Sequence, residues 1–255
     1  DPMKLLTHSG ALFFPTGFSL RGYQVVMNNP NILIGYRNTL LYVAGSLIVG
    51  MTLTPLGAYA LSCKGYPFRK AIVFLFVFTM YFSGGLIPTY TVVRSLHLTN
   101  SRLGIILLGS VSVYNIILIR SYFRSSLPEE LREAAEIDGC SNLDFFFQIA
   151  LPLATPIIAV IAMYIAEGMW NSYFNAMVYL TDIDKYPLQN FLREILLQGE
   201  ANTDLTDPET AAERAYIMQM LKYCVIVLSS LPMMLLYPFI QRFFVTGLMI
   251  GSLKG

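Results

Sequence analysis

An all-α, polytopic membrane protein is the fold class that the sequence predicts, and three observations carry it. Of 255 residues, 55% are hydrophobic and only 13% charged, against roughly 25% charged in a soluble domain. The mean hydropathy is +0.56. Five stretches, at residues 38–61, 71–93, 103–123, 153–174 and 216–240, are apolar enough to cross a bilayer. A helix needs about 20 such residues to span hydrocarbon, where only a helix or a closed barrel satisfies its own backbone. The chain reads as one transmembrane domain over 1–255, with a cytoplasmic loop at 126–152, an outer loop at 175–215 and a C-terminal tail at 241–255.

Taken in order, Asp1-Pro2-Met3 resembles neither a translation start nor a signal peptide. In the first span Ser46, Gly50, Thr54 and Ala58 recur every fourth residue, which puts small side chains on one face where another helix can approach. The next two spans are nearly free of charge. The fourth holds Glu167 and the fifth Lys222, each toward one end. Pro88 after Gly84-Gly85, Pro152 with Pro156, and Pro232 with Pro238 remove backbone donors, so helices are expected to bend or start there.

Several function classes fall away. The net charge of +1 and the lack of a Lys/Arg run with interleaved aromatics exclude nucleic acid as a partner. Cys63, Cys140 and Cys224 lie far apart without C-x-x-C spacing and with only His8 and His97 to help them. They read as packing residues, with no metal site or disulfide framework. No paired carboxylates, Ser with a base, or His ligands sit in the spans to suggest an intramembrane enzyme. G-x-x-x-x-G-K-[ST] is absent, so this chain does not itself bind ATP.

Orientation follows from the short loops, where basic residues mark the inner side. Lys64, Arg69 and Lys70 cluster between the first two spans, and Arg120, Arg124 and Arg132 follow the third. That face is assigned as cytoplasmic. Residues 1–37, the Arg94 to Arg102 turn and the 175–215 loop then lie outside.

The loop between the third and fourth spans has a helix grammar of its own. Ser126 and Glu129 have capping-box spacing, Pro128 suits a first turn, and Glu129 with Glu130 complements the positive end of the dipole. Leu127, Leu131, Ala134 and Ala135 fall at helical intervals. Gly139 supplies the left-handed or tight-turn position that ends the helix, and a second helix follows.

Glu133, Ala134, Ala135, Gly139, Ile149, Leu151 and Pro152 meet every spacing of the pattern E-A-A, three residues, G, nine residues, I, one residue, L-P. The loop thereby resembles the signature of permease subunits of binding-protein-dependent ABC importers. The resemblance extends over almost the whole chain, through P-T-G-F-S-L-R-G-Y from Pro15, Y-R-N-T-L from Tyr36, Trp170-Asn171, Tyr186-Pro187-Leu188 and the tail from Gln241 to Gly255. These segments look like the carbohydrate, maltose-type branch. Ser83-Gly84-Gly85-Leu86-Ile87-Pro88 looks most like permeases for oligosaccharides and polysaccharide fragments.

The resemblance implies a type I importer transmembrane domain, usually of six spans, so that a sixth, N-terminal span would precede Asp1. It implies a multi-pass subunit in a bacterial or archaeal cytoplasmic membrane, surrounded by lipid. The implied partners are a second homologous permease, two ATPase subunits that carry ATP and Mg, and an extracytoplasmic sugar-binding protein. ATPase coupling would fall to Glu133, Ala134, Ala135, Asp138, Gly139, Ile149, Leu151 and Pro152, with Lys254 and Gly255 in a tail that reaches between the ATPases. The outer loop would dock the binding protein.

Aromatic faces and planar polar side chains recognise sugars, which makes Tyr90, Tyr114, Asn115, Trp170, Asn171, Tyr173 and Asn175 candidates for the substrate path. An interfacial aromatic belt is the alternative for Tyr90, Trp170 and Tyr173. Glu167, the acid within a span, joins them because an intramembrane ionisable residue is a functional candidate. Two rivals stay open: an importer permease for a non-sugar solute, and a secondary transporter.

Overall fold

The computed structural model describes residues 20–201, 220–235 and 237–238. It is helical throughout the regular elements of those residues. The chain divides into two compact units, one of residues 1–40 with 171–236 and the other of residues 41–170 with 237–255.

Helix α1 (Arg21–Met27) precedes α2 (Pro30–Ser62), whose 33 residues make it the one described helix long and apolar enough to cross a membrane unbroken. It contains the first predicted span and accommodates Pro55 internally. Its residues up to Leu40 belong to the first unit and the rest to the second.

The second unit holds three bent pairs that pass as spans only when their halves are joined. Helices α3 (Arg69–Tyr81) and α4 (Leu86–Ser95) meet at 119°. Helices α5 (Arg102–Ser110) and α6 (Val113–Ser126) meet at 42°. The third pair joins residues Asn142–Leu153 to α10 (Thr155–Trp170) at 81°. Within its first arm run α8 (Asn142–Phe145), a π-turn (Phe146–Ala150) and α9 (Leu151–Leu153). Thus Pro152 sits in a short helix ahead of the bend, and the long helix starts only at Thr155.

The first break follows from local chemistry. Gly85 takes φ +87°, a left-handed region that L side chains avoid, and the Ser83 hydroxyl accepts from the Gly85 N–H at 3.2 Å. The second break has no proline to cause it: Val111 and Ser112 are extended. Packing accounts for it. A Cβ on Gly50 would lie 2.3 Å from the Ser110 carbonyl oxygen, and the Ser46 hydroxyl donates to the Ile106 carbonyl at 3.1 Å. Ser46, Thr54 and Ala58 are fully buried. The small-residue face of α2 therefore is a packing face, and Ser46 adds a hydrogen bond across it to the α5 backbone.

The core of the second unit gathers Tyr59 and Leu61 of α2, Ile116, Ile119 and Phe123 of α6, Phe145, Phe146 and Ala150 of the loop, and Ile161 and Ile165 of α10. In the first unit α11 (Phe174–Tyr179) and a 3₁₀ turn (Ile183–Lys185) stand where the sequence reads as loop, α12 (Leu188–Ala201) contains the stretch Leu188 to Leu197 that reads as helix-like within that loop, and α13 (Met220–Leu235) covers the described part of the fifth span.

Candidate functional site

The loop between α6 and α8 carries helix α7 (Glu129–Ile137). Its N-cap is Pro128, without a side-chain cap bond. The expected Ser126 capping box is not formed, because α6 continues through Ser126 and keeps that residue helical. The serine that does cap is Ser141, whose hydroxyl accepts from the Asp144 N–H at 3.2 Å at the start of α8.

The C-terminal end of α7 explains the spacing between Ala135 and Gly139. The Cys140 N–H donates to the Ala135 carbonyl at 2.9 Å and the Gly139 N–H to the Glu136 carbonyl at 3.1 Å. This pair of bonds is a Schellman motif, which needs a left-handed residue four positions after its first acceptor. Gly139 supplies it with φ +80°. Ala135 is buried, while Glu133, Ala134, Asp138 and Gly139 are exposed. One face of the short helix thus presents two carboxylates around a small residue, and the other anchors it.

The anchor is aromatic. Phe145 and Phe146 are 3% and 2% exposed, and Tyr59 stacks near both, with ring centroids 6.3 and 5.1 Å away. Phe123 meets the same ring edge-on at 5.8 Å. Ile149 and Leu151 are half-buried against this core, and Pro152 is exposed.

Charge fastens the other end of the helix to the base of α2. Glu129 pairs with Lys64 at 3.1 Å and with Arg132 at 3.7 Å, and Arg132 reaches Glu136 at 3.5 Å. Burial works against the Arg132 charge, but Cys63, Glu129 and Glu136 outweigh it and raise its pKa above the ordinary value. The last carbonyls of α2 are satisfied by two cations: Arg120 donates to Leu61 at 2.9 Å, and Arg69 to Cys63 at 3.0 Å and Ser62 at 3.3 Å. Basic residues that are scattered in sequence therefore meet at one end of the unit.

The substrate-path candidates are less uniform. In the second unit Tyr90 and Tyr114 are exposed at 37% and 53%, and Glu167 is exposed, whereas Asn115 and Trp170 are buried at 6% and 3% exposure. In the first unit Asn171 and Tyr173 are exposed and Asn175 is half-buried. Lys254 and Gly255, with the 241–255 tail, lie outside the described residues.

Two functional supports escaped the sequence. Asn38 and Thr39 are fully buried. The Asn38 amide donates to the carbonyls of Asp184 at 2.8 Å and Tyr186 at 3.0 Å, and the Thr39 hydroxyl accepts from the Leu188 N–H at 2.9 Å. They hold the 184–188 segment to the start of α2. Their sequence signals are polarity at the edge of an apolar run and a place in the Y-R-N-T-L segment, and neither names a partner.

The chain is similar to known proteins over nearly its full length. It is 37% identical over 250 residues to protein LplC of Bacillus subtilis, spanning 98% of this chain and 84% of that protein. It is 39% identical over 248 residues to the polygalacturonan/rhamnogalacturonan transport system permease protein YtcP of the same organism, spanning 96% and 85%. Among solved structures, a chain of a bacterial ABC transporter involved in the import of the acidic polysaccharide alginate superposes with a TM-score of 0.81 at 31% identity, covering 94% of this chain and 84% of that one. Residues 70–247, which include the helix, glycine turn and aromatic anchor just described, match the profile of the binding-protein-dependent transport system inner membrane component, and the chain belongs to that family.

Proposed function

We propose that this permease carries an oligosaccharide or polysaccharide fragment inward across a bacterial or archaeal cytoplasmic membrane, paired with a second permease and driven by two ATPase subunits that bind ATP and Mg. The observation that carries the mechanism is α7: a short rigid helix with Glu133 and Asp138 exposed and Ala135 buried, ended by the Gly139 motif and anchored through Phe145 and Phe146. A helix so fixed can pass a push from a docked ATPase into α6 and α10, and the exposed carboxylates suit charge-assisted hydrogen bonds with the docking cleft.

The path itself is supported by the 82–85 break. Its residues and all of α4 up to Tyr90 are exposed. Irregular backbone at membrane depth is tolerated only against protein or water, so this hinge is read as facing a second permease or a wet path, with Tyr90 and Tyr114 as exposed aromatic surfaces for sugar. The cargo class is supported by relatives whose names cite polygalacturonan/rhamnogalacturonan and melibiose/raffinose/stachyose. The segment around α11 and α12 is assigned to the external binding protein.

Two measurements test this reading. Affinity purification of the chain is expected to bring down an ATPase, and Glu133→Arg to remove it; retention by the variant would refute docking at α7. ATPase activity of the reconstituted complex with its binding protein is expected to rise with oligosaccharides and not with amino acids or oxyanions. Stimulation by an amino acid alone would leave the family intact and overturn the sugar assignment.

A further inference from the structure

Helix α2 ends at Ser62, and the carbonyls of a helix's last turn have no partner in their own ladder. Two arginines from two other helices take up this end. The Arg120 Nε of α6 donates to the Leu61 carbonyl at 2.9 Å, across 59 residues of chain. The Arg69 guanidinium, on the first residue of α3, donates to the carbonyls of Cys63 at 3.0 Å and Ser62 at 3.3 Å. Neither arginine pairs with a carboxylate among the described residues. The carbonyls are therefore their partners, and these bonds draw two like charges onto one helix end.

Each arginine stands where a small shift is passed on. Only Leu127 and Pro128 separate α6 from α7, so a displacement of α7 reaches α6 with little slack. The Arg120 bond is the one hydrogen bond between α6 and α2 among the described residues. What else joins them is the apolar cluster of Tyr59, Leu61, Ile116, Ile119 and Phe123. Apolar surfaces can slide past one another, whereas a hydrogen bond weakens steeply as its geometry changes and so fixes register. Arg69 plays the same part for α3. The turn before it holds Phe68 at φ +58°, strained for an L residue, and leaves that residue 81% exposed. Packing does not hold Phe68 there; the bonds from Arg69 back to residues 62 and 63 close the turn. At its far end α3 runs to Tyr81, beside the exposed break at 82–85.

We propose that Arg69 and Arg120 are positioning residues for transport: they lock the ends of α2, α3 and α6 together at residues 61–63, so that a push on α7 moves the three helices as one body and reaches the 82–85 break. The role in transport rests on the proposed docking of an ATPase at α7; the lock itself does not.

The test uses the assembled importer in vesicles with its binding protein, and reads sugar taken up per ATP hydrolysed beside the ATPase retained on purification. Arg120→Met keeps the apolar stem and removes the donor. It is expected to retain the ATPase and to hydrolyse ATP, while sugar moved per ATP falls about tenfold, the worth of one hydrogen bond to a charged group. Arg69→Met is expected to do the same, and the double variant to fall no further than the lower single one, because a lock opened at either side is open. Arg120→Lys, which keeps a cation near the carbonyl, is expected to recover part of the ratio. An unchanged ratio in both methionine variants, or losses that multiply in the double one, would overturn the lock. So would uptake and hydrolysis falling in step, which is what loss of folded protein alone produces. Should Arg120→Met not assemble, Arg69→Met and Arg120→Lys decide by the same criteria. A wild type that brings down no ATPase would refute docking at α7 instead, and hydrogen exchange then reads the lock. Arg120→Met is expected to speed exchange of the Ile72 amide, which bonds to Phe68 on the far side of the lock; unaltered exchange there would show that the helices are not joined.

Discussion

The α7 loop and the α11–α12 segment solve the same problem by opposite means. Each is a stretch outside the long helices that has to be held still. The α7 loop is held by apolar anchors, with Phe145 and Phe146 against Tyr59, and closes its backbone internally through the Gly139 motif. The α11–α12 segment is held by buried polar side chains, with Asn38 and Thr39 bonding directly to the backbone at 184, 186 and 188. The difference teaches what each can tolerate. A segment that satisfies its own backbone can be moved as a unit, whereas one that borrows donors and acceptors from α2 is fixed in register with it.

The comparison can be broken most sharply at Gly139. Gly139→Pro removes the N–H that bonds to Glu136 and cannot adopt φ +80°; transport is expected to fall more than tenfold, with the ATPase lost on purification, as read by vesicle uptake and pull-down. Gly139→Ala meets no atom within 4 Å, so its penalty is conformational alone, about 1 kcal/mol, and partial activity is expected.

Phe145→Ala tests the apolar anchor. Emptying a site 3% exposed is expected to cost about 3 kcal/mol or more, seen as a lowered melting temperature and as protease cleavage within the loop. Asn38→Ala tests the polar anchor: the carbonyls of Asp184 and Tyr186, in exposed and half-buried residues, lose their donor, an expected loss of about 1 kcal/mol. Hydrogen exchange is expected to rise across residues 184–188 and to stay unchanged across α7. A rise in both would show that the two segments are coupled and that the contrast drawn here is wrong.

The smallest effect belongs to Lys64→Ala. Its pair with Glu129 has Lys64 71% exposed, and exposed pairs contribute at most a few tenths of a kcal/mol and fade with salt. No measurable change in melting temperature at physiological salt is expected.

These contrasts mirror what was legible from residues. The helix at 129–137, its end at Gly139 and the small face of α2 were readable because capping, left-handed glycine and helical periodicity are local or repeat at short range. The same local grammar misled at Ser126: the S-x-x-E spacing was present, but α6 runs through it, and the equivalent S-x-x-D at Ser141 makes the cap instead. Spacing cannot tell which of two serines ends a helix when a preceding helix competes for one of them. The stretch 175–215 reads as a loop with one helical segment because α11 and the 3₁₀ turn are too short to show a period.

The sequence by itself determined the membrane class, the helical fold, the family and the helix at 129–137 with its glycine stop, because composition, motif spacing and short-range hydrogen-bonding rules suffice for them. Only the tertiary structure decided the break at Val111 and Ser112, where close packing of Gly50 on the Ser110 carbonyl replaces a proline. It also decided that Asn38 and Thr39 clamp a segment about 146 residues away, and that scattered cations converge on the base of α2. The physical reason is common to all three: each depends on residues far apart in the chain coming into contact, and one-dimensional spacing carries no record of which ones meet.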